Sequence, residues 1–321
     1  MQQDMRYIYE VWQEGSFSKA AEKLYLTQPA LSIAIQKIEK NIGMYLFDRT
    51  KRPLELTPAG EAYLRTIKQT LYLEQELEKE LDDIKNLKHG KLCIGGSHYI
   101  NSYILPDILS GFSKKYPGIE LELLENSSAA FARMLDEHEI DLTFNCNPRF
   151  MQDFERYPAF FDTILLAVPA DEPINKSIEE SRPDTALTAK DIIEGRHLDE
   201  DCPMIPLETF KDLPFILLTE GNNLYDRSIS LFKEAGFEPE IKLKISQLVT
   251  AYHLAESSFA ATFISDRLIQ TQSDKLKFYK LNSHLIRRMF YILLPKRQYT
   301  SFACKAFIDY ALDALKWDRE I

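Results

Sequence analysis

The sequence predicts an α/β protein in three parts: a small helix-turn-helix domain over residues 1–60, a long helix over 61–89, and an α/β body over 90–321. Three observations carry this. Short helical patterns crowd the first 45 residues and lead into a brief hairpin with a cationic tip. An almost unbroken apolar stripe follows at helical spacing. Beyond it, strand-like runs alternate with amphipathic stretches, the signature of parallel α/β units.

Asp4 to Glu14 carries Met5, Ile8 and Trp12 at helical spacing, and Gly15 stops it. A short second helix has Ser16 or Ser18 available as its cap, and Ala20, Ala21 and Leu24 give it a small-residue face suited to close packing. Thr27 caps a third helix that holds Pro29 in its first turn, where a missing N–H costs nothing. Leu31, Ile35, Ile38 and Ile42 stripe its inner face, and Gly43 ends it. Leu46 to Thr50 and Leu54 to Thr57 read as a two-stranded hairpin, a wing tipped by Lys51, Arg52 and Pro53.

From Pro58 to about Lys88 the only breaker is Gly60, and Leu64, Ile67, Leu71, Leu77, Leu81 and Ile84 recur mostly at three or four residues. So long and narrow a stripe has no nearby core to cover it, which predicts a partner chain and a dimerisation helix. Glu74 interrupts the stripe and weakens a strict heptad; His89-Gly90 should end the helix.

In the body, Leu92 to Gly96, Ile119 to Leu124, Asp141 to Asn145, Thr163 to Val168, Phe215 to Leu218, Ile241 to Ile245, Ala260 to Ser265 and Phe290 to Leu294 read as strands. Ser102 to Lys115, Ala129 to His138, Leu224 to Ala235 and Gln247 to Glu256 read as the helices between most of them. In such sheets ligands bind beyond the carboxyl ends of the strands. Asp171 to Lys211, polar and punctuated by Pro173, Pro183, Pro203 and Pro206, reads as a surface excursion with one helix near Ala189 to Glu194.

The composition, 45% hydrophobic and 27% charged, is that of an ordinary globular protein. No stretch approaches the roughly 18 apolar residues of a membrane span, and Asp4, Arg6 and Glu10 stand where a signal peptide needs an apolar run, so a cytoplasmic location is expected. Cys93, Cys146, Cys202 and Cys304 are scattered, with no Cys-x-x-Cys pair and no His at metal-ligand spacing, which predicts reduced thiols and neither metal nor cofactor. The net charge of −10 opposes binding to a polyanion at first sight, but it is unevenly placed: +1 over residues 1–60, −2 over 61–89 and −9 over the rest. Enzyme signatures are lacking, with no Gly-x-Ser-x-Gly elbow, phosphate-binding glycine loop or His-Glu-x-x-His, and the serines have no recognisable base.

The run Glu14-Gly15-Ser16-Phe17-Ser18-Lys19-Ala20-Ala21-Glu22-Lys23-Leu24, then Thr27-Gln28-Pro29-Ala30-Leu31-Ser32, Leu46-Phe47-Asp48-Arg49-Thr50 and Leu54 to Gly60, resembles the DNA-binding half of LysR-type regulators. The remainder is similar to that family by element order more than by motif. The resemblance implies a winged helix-turn-helix, a linker helix and a two-lobed, periplasmic-binding-protein-like effector domain, with lobe I at about 90–162 and 267–321 and lobe II at about 163–266. It further implies a homodimer or tetramer on double-stranded promoter DNA, a small-molecule effector that changes how the dimers sit, and RNA polymerase as a partner.

On that reading the third helix enters the major groove. Gln28, Ser32 and Gln36 form its polar row and are the candidates for base readout. Thr27 and Ser18 place helix N-termini against phosphates, Pro29 sits in the same first turn, and Arg49, Lys51 and Arg52 suit backbone or minor-groove contacts from the wing. Arg49 could equally hold the wing to the body through Asp48 or Glu55. Where basic residues commonly follow the serine in the family, this chain has Ile33-Ala34-Ile35, which predicts a shallower salt dependence and leaves Ile33 as either a thymine-methyl contact or a packing residue.

For the effector, Ser97 and His98 follow the first body strand, Asn126, Ser127 and Ser128 the second, Thr219 the strand Phe215 to Leu218, and Ser246 the strand Ile241 to Ile245. Hydroxyls and amides at converging helix N-termini favour a polar or anionic ligand. Ser127 and Ser128 are equally good helix caps. Ala255-Glu256-Ser257-Ser258-Phe259-Ala260 stands where many relatives have a glycine-rich turn, which predicts a bulkier turn here. Two other readings stay open: a ligand-binding protein of this fold with weak or lost DNA binding, and a regulator set by protein contacts or by Cys146 or Cys202.

Overall fold

The computed structural model describes residues 3–51, 53–85, 89–296 and 299–315, and the chain divides into two compact units, Met1–Leu87 and Lys88–Ile321.

In the first unit, α1 (Gln3–Glu14), α2 (Phe17–Lys23) and α3 (Gln28–Ile42) enclose a core of Ile8, Val11, Ala20, Ala21, Leu31, Ile35 and Ile38. The turn from α1 into α2 passes through Gly15 at φ 58°, a conformation only glycine adopts without strain. Ala20 and Ala21 are both buried, as their small face requires for close helix approach. The wing is an antiparallel pair, β1 (Phe47–Asp48) and β2 (Glu55–Leu56). Thr57 caps α4 (Pro58–Ile84) by accepting from Gly60 N–H, and a Cβ on Gly60 would come within 2.0 Å of the Leu46 carbonyl oxygen, so glycine lets the first turn of α4 press on the wing.

α4 is the long helix expected, but it closes at Ile84 with Lys85 as its cap, and residues 86–88 lie outside the described residues. Its apolar stripe also divides. Leu64 and Ile67 are buried, Ile67 in the same core as α1–α3, and Leu71 packs at the edge of that core. These residues therefore cover at least in part their own domain. Leu77, Leu81 and Ile84 are exposed, as is Leu73, which the interrupted spacing concealed.

The second unit is built on a mixed sheet in which the expected parallel α/β units form two half-sheets. Parallel strands β4 (Ile119–Glu125), β3 (Gly90–Gly96) and β5 (Leu142–Asn145) form one half, and parallel β8 (Glu240–Ile245), β7 (Pro214–Leu218) and β9 (Ala261–Ser265) the other. Two antiparallel strands join them, β6 (Phe154–Pro169) and β11 (Arg287–Pro295). Helices α5 (Leu105–Lys115), α6 (Ser128–Asp136), α9 (Asn223–Ala235) and α10 (Leu248–Glu256) make the parallel crossovers. The first half of β6 pairs with β11 and its second half with β9, so one strand runs through both lobes.

Residues 171–211 are not a surface excursion. They hold α7 (Pro173–Ser181) and α8 (Ala189–Ile193), bury Ile178, Leu187, Ile192, Ile205 and Phe210, and bridge through Leu187 and Ile205 to Phe278 and Leu281. Prolines punctuate elements too short to show a period, and the apolar residues that anchor them are too widely spaced to read as a face. β10 (Leu276–Lys280), which went unread, pairs with the second half of β6, so lobe II continues past residue 267 and the chain returns to lobe I at the start of β11. α11 (Phe302–Ala314) completes lobe I, with Phe307 edge-on to Phe112 of α5.

Candidate nucleic-acid interface and ligand cleft

Leu31, Ile35 and Ile38 fix α3 against its core, which leaves Gln28, Pro29, Ile33, Gln36, Lys37 and Lys40 exposed on the outward side. Thr27 accepts from Ala30 N–H at 3.4 Å and is the cap expected. Gln28 Nε2 donates to Ser32 Oγ at 2.9 Å, so two of the three expected base readers are paired with each other, and Ser32 is half-buried. Ser18 lies inside α2, exposed, while Ser16 occupies the cap position without a side-chain hydrogen bond. The first apolar residue of α2 is Phe17, which takes the chain into the helix one residue before Ser18.

The wing residues behave differently from one another. Arg49 Nη2 lies 2.9 Å from the buried carboxylate of Glu39, and its guanidinium covers the Phe17 ring, so it holds the wing to α3 and not through Asp48 or Glu55. Asp48 accepts from Thr50 Oγ1 and N–H, which hold its carboxyl below the usual range. Lys51 pairs with Glu55 at 2.6 Å, which raises its pKa. Arg52 lies outside the described residues. Lys37 and Lys40 were missed; their three-residue spacing beyond Ser32 and Gln36 on the outward face was the available signal.

In the second unit all seven expected ligand residues, Ser97, His98, Asn126, Ser127, Ser128, Thr219 and Ser246, line one cleft of about 290 Å³ between the lobes. They meet there because each follows the carboxyl end of a parallel strand, β3, β4, β7 or β8, and the loops of both half-sheets face the same gap. Ser127 caps α6 and Asn222 caps α9, and Gln247 precedes α10, so three helix N-termini border the space. His98 Nδ1 is buried there without a protein hydrogen-bond partner. Glu125, Cys146, Glu220, Asn222 and Gln247 line the cleft too, and among the described residues no lysine or arginine does. The strand-end rule that found Asn126 and Thr219 applies equally to Glu125 and Glu220, and to Cys146, the first residue after β5.

A buried polar network supports this cleft. Asp162 of β6 and Arg288 of β11, both essentially inaccessible, form a bidentate pair across the joining strands. Tyr99, a lining residue, hydrogen-bonds Ser265 Oγ at 2.8 Å and donates to Asp162. Cys146 Sγ donates to Asn223 Oδ1 at 3.1 Å, and burial pushes its thiol up to about 11. In the turn after α10, Ser258 takes the left-handed conformation that glycine favours, φ 57°, and donates to Asp171 at 2.7 Å.

A larger cavity of about 430 Å³ lies against the same joining strands, at Phe161, Thr163, Ile286 and Arg287. None of the seven residues reaches it. The smaller cleft is the better candidate because polar groups from both lobes converge there with helix N-termini. Among the described residues there is no cluster able to hold a metal ion and no helix long and apolar enough to cross a membrane.

Comparisons with known proteins agree with this architecture. Residues 85–316 match the LysR substrate binding domain, and residues 2–61 the bacterial regulatory helix-turn-helix protein of the lysR family. The chain is 27% identical to the "Uncharacterized HTH-type transcriptional regulator YcgK" of Bacillus subtilis, over 97% of this chain and 94% of that protein. It is 25% identical to a "Probable RuBisCO transcriptional regulator" of Trichormus variabilis, over 94% and 85%. In fold it is similar to full-length CbnR complexed with its target DNA, with a TM-score of 0.66 at 19% identity over 98% of this chain and 100% of that one. A full-length OxyR variant from Pseudomonas aeruginosa gives the same TM-score at 22% identity, over 98% and 96%.

Proposed function

The chain belongs to the LysR family of transcription regulators, with a helix-turn-helix DNA-binding domain and an effector-binding domain, and from that premise we propose how its own residues divide the work. α3 enters the major groove with Gln28, Ile33 and Gln36 toward the bases, and Thr27, Lys37, Lys40 and Lys51 toward phosphates. Ser18 contacts phosphate from the exposed side of α2. Arg49 positions the wing. The assignment of domains is 1–60 for DNA, 61–89 for the linker, and 90–321 for the effector. Two copies pair along Leu73, Leu77, Leu81 and Ile84.

The effector binds in the cleft between the lobes. The convergence of seven hydroxyl, amide and imidazole side chains from both lobes is the observation that carries this reading. Glu125 and Glu220 in the same lining, with no cation beside them, favour a polar, hydroxyl-rich ligand with at most one carboxylate, seated at a helix N-terminus, over a multiply charged anion. His98 Nδ1 is available to pair with it. No reaction is assigned to the cleft. The protein acts in the cytoplasm, where promoter DNA and RNA polymerase are.

Selection of fragments of the source genome on the purified chain, read by sequencing, tests the reading. A few enriched sites with interrupted inverted symmetry are expected, with genes beside them that suggest effectors to try. A flat profile at physiological salt, unchanged by added metabolites, favours a ligand-binding protein that has lost its hold on DNA. Ser128→Trp, which fills the cleft, should abolish the response to an effector while leaving DNA binding intact.

A further inference from the structure

Ile33 stands at the centre of the outward face of α3, one turn after Pro29 and one turn before Gln36 and Lys37, and 65% of it is exposed. That exposure excludes a packing role within the domain. The residue also lacks a helical rationale, because a β-branched side chain is a weaker helix former than the basic or amide residues that suit a solvated face. Apart from the small ring of Pro29, its neighbours on this face are amides and amines: Gln28, already bonded to Ser32, then Gln36, Lys37 and Lys40. A single large apolar group among them calls for an apolar partner on the surface the helix meets. In the major groove only one base offers that, the C5-methyl group of thymine; every other edge presents hydrogen-bond donors and acceptors.

We propose that Ile33 reads the C5-methyl group of a thymine in each half-site and so sets base preference at a position the amide side chains of α3 leave unread. The inference rests on the reading of α3 as the helix that enters the major groove. Covering one methyl group with an apolar side chain corresponds to about fourfold in affinity, and to about fifteenfold when both half-sites of a dimer are involved.

The test uses the full chain. A random duplex library is selected with wild type, Ile33→Ala and Ile33→Val, and in the enriched site each thymine is replaced in turn by deoxyuridine, which removes the methyl group and keeps the base pairing. Wild type should lose about fourfold at one thymine per half-site. Ile33→Ala should bind the thymine and deoxyuridine sites equally, at the level of wild type on deoxyuridine, and Ile33→Val should fall between. Because the residue is exposed and alanine is the better helix former, the variant keeps its fold, checked by circular dichroism. Indifference of wild type to every deoxyuridine, or the same loss at the same position in Ile33→Ala, overturns the inference while leaving the groove reading standing. A change of oligomeric state in Ile33→Ala with unchanged base preference overturns it in favour of a protein partner. If wild type enriches no sequence, the groove reading fails and the inference with it.

Discussion

Arg49 reaches back from the wing to Glu39 on α3, Nη2 to Oε2 at 2.9 Å, while the other oxygen of Glu39 accepts the backbone N–H groups of Leu46 and Phe47. One carboxylate, 3% exposed, thus satisfies three donors and fixes where the wing leaves the helix. Glu39→Ala strands two backbone donors and releases the partly exposed Arg49 to water, and should cost about 3 kcal/mol. Glu39→Gln keeps an acceptor for the backbone and should cost about half as much. Denaturant unfolding followed by Trp12 fluorescence, in a Trp317→Phe background, measures both. A loss under about 0.5 kcal/mol for the alanine variant, the size of an ordinary surface substitution, would contradict the assignment.

The division of the α4 stripe gives opposite expectations for chemically identical changes. Leu77→Asp with Leu81→Asp places charge on exposed positions, and should move sedimentation toward the monomer at micromolar concentration while Trp12 reports unchanged unfolding. Ile67→Asp buries an unpaired charge in the domain core and should unfold that domain outright. An undiminished oligomer in the double variant would place the self-association elsewhere.

Ser258 adopts a left-handed conformation that costs a residue with a side chain about 1 kcal/mol and glycine nothing. Ser258→Gly forfeits the exposed hydrogen bond to Asp171, itself a smaller contribution, so the effector domain should gain up to about 1 kcal/mol and a melting temperature higher by roughly 2–4 °C. A lower melting temperature would mean that the Asp171 contact outweighs the strain.

What could be read from the sequence follows from how each feature is encoded. Thr27, Pro29 and Gly43 mark α3 because caps, first-turn prolines and left-handed closures act within one turn of chain. The cleft residues were legible through the strand-end rule alone, which needs only the order of strands and helices. The antiparallel course of β6 and β11 was not, since a hydrophobic run says nothing about its direction; nor was the burial of residues 171–211, whose anchors are single side chains. Glu39 escaped notice for a different reason. A glutamate on a helix reads as solvated until the N–H groups of Leu46 and Phe47 are seen to need an acceptor.

Cys146 lines the cleft, yet burial holds its pKa at about 11, above the ordinary range. A raised thiol pKa keeps the protonated form dominant below it, so at pH 8 about one molecule in a thousand carries the thiolate. Alkylation by iodoacetamide, followed by mass spectrometry of the Cys146 peptide, should run roughly a hundredfold slower than at an unperturbed cysteine and rise about tenfold per pH unit between 7 and 10. Cys146→Ser and Cys202→Ser should leave regulation intact. Rapid, pH-independent labelling of Cys146 would reopen a thiol-based switch.

Two wing cations at the DNA face are paired with carboxylates, Arg49 with Glu39 and Lys51 with Glu55, and Ile33 stands in place of a cation on α3, which leaves Lys37 and Lys40 to carry much of its charge. Fewer cations then release fewer counterions, so the log–log dependence of affinity on salt should be clearly shallower than the roughly −10 of a strongly electrostatic repressor. Ile33→Arg turns the same position from methyl reading to phosphate neutralisation. Each phosphate it engages steepens the slope by about 0.9, or about 1.8 for a dimer, while sensitivity to deoxyuridine disappears. Titrations of wild type and variant across salt on thymine and deoxyuridine sites separate the two effects. A wild-type slope near −10 would mean that the wing cations leave their carboxylates on binding, and that the ion pairs seen in the free domain do not limit its hold on DNA.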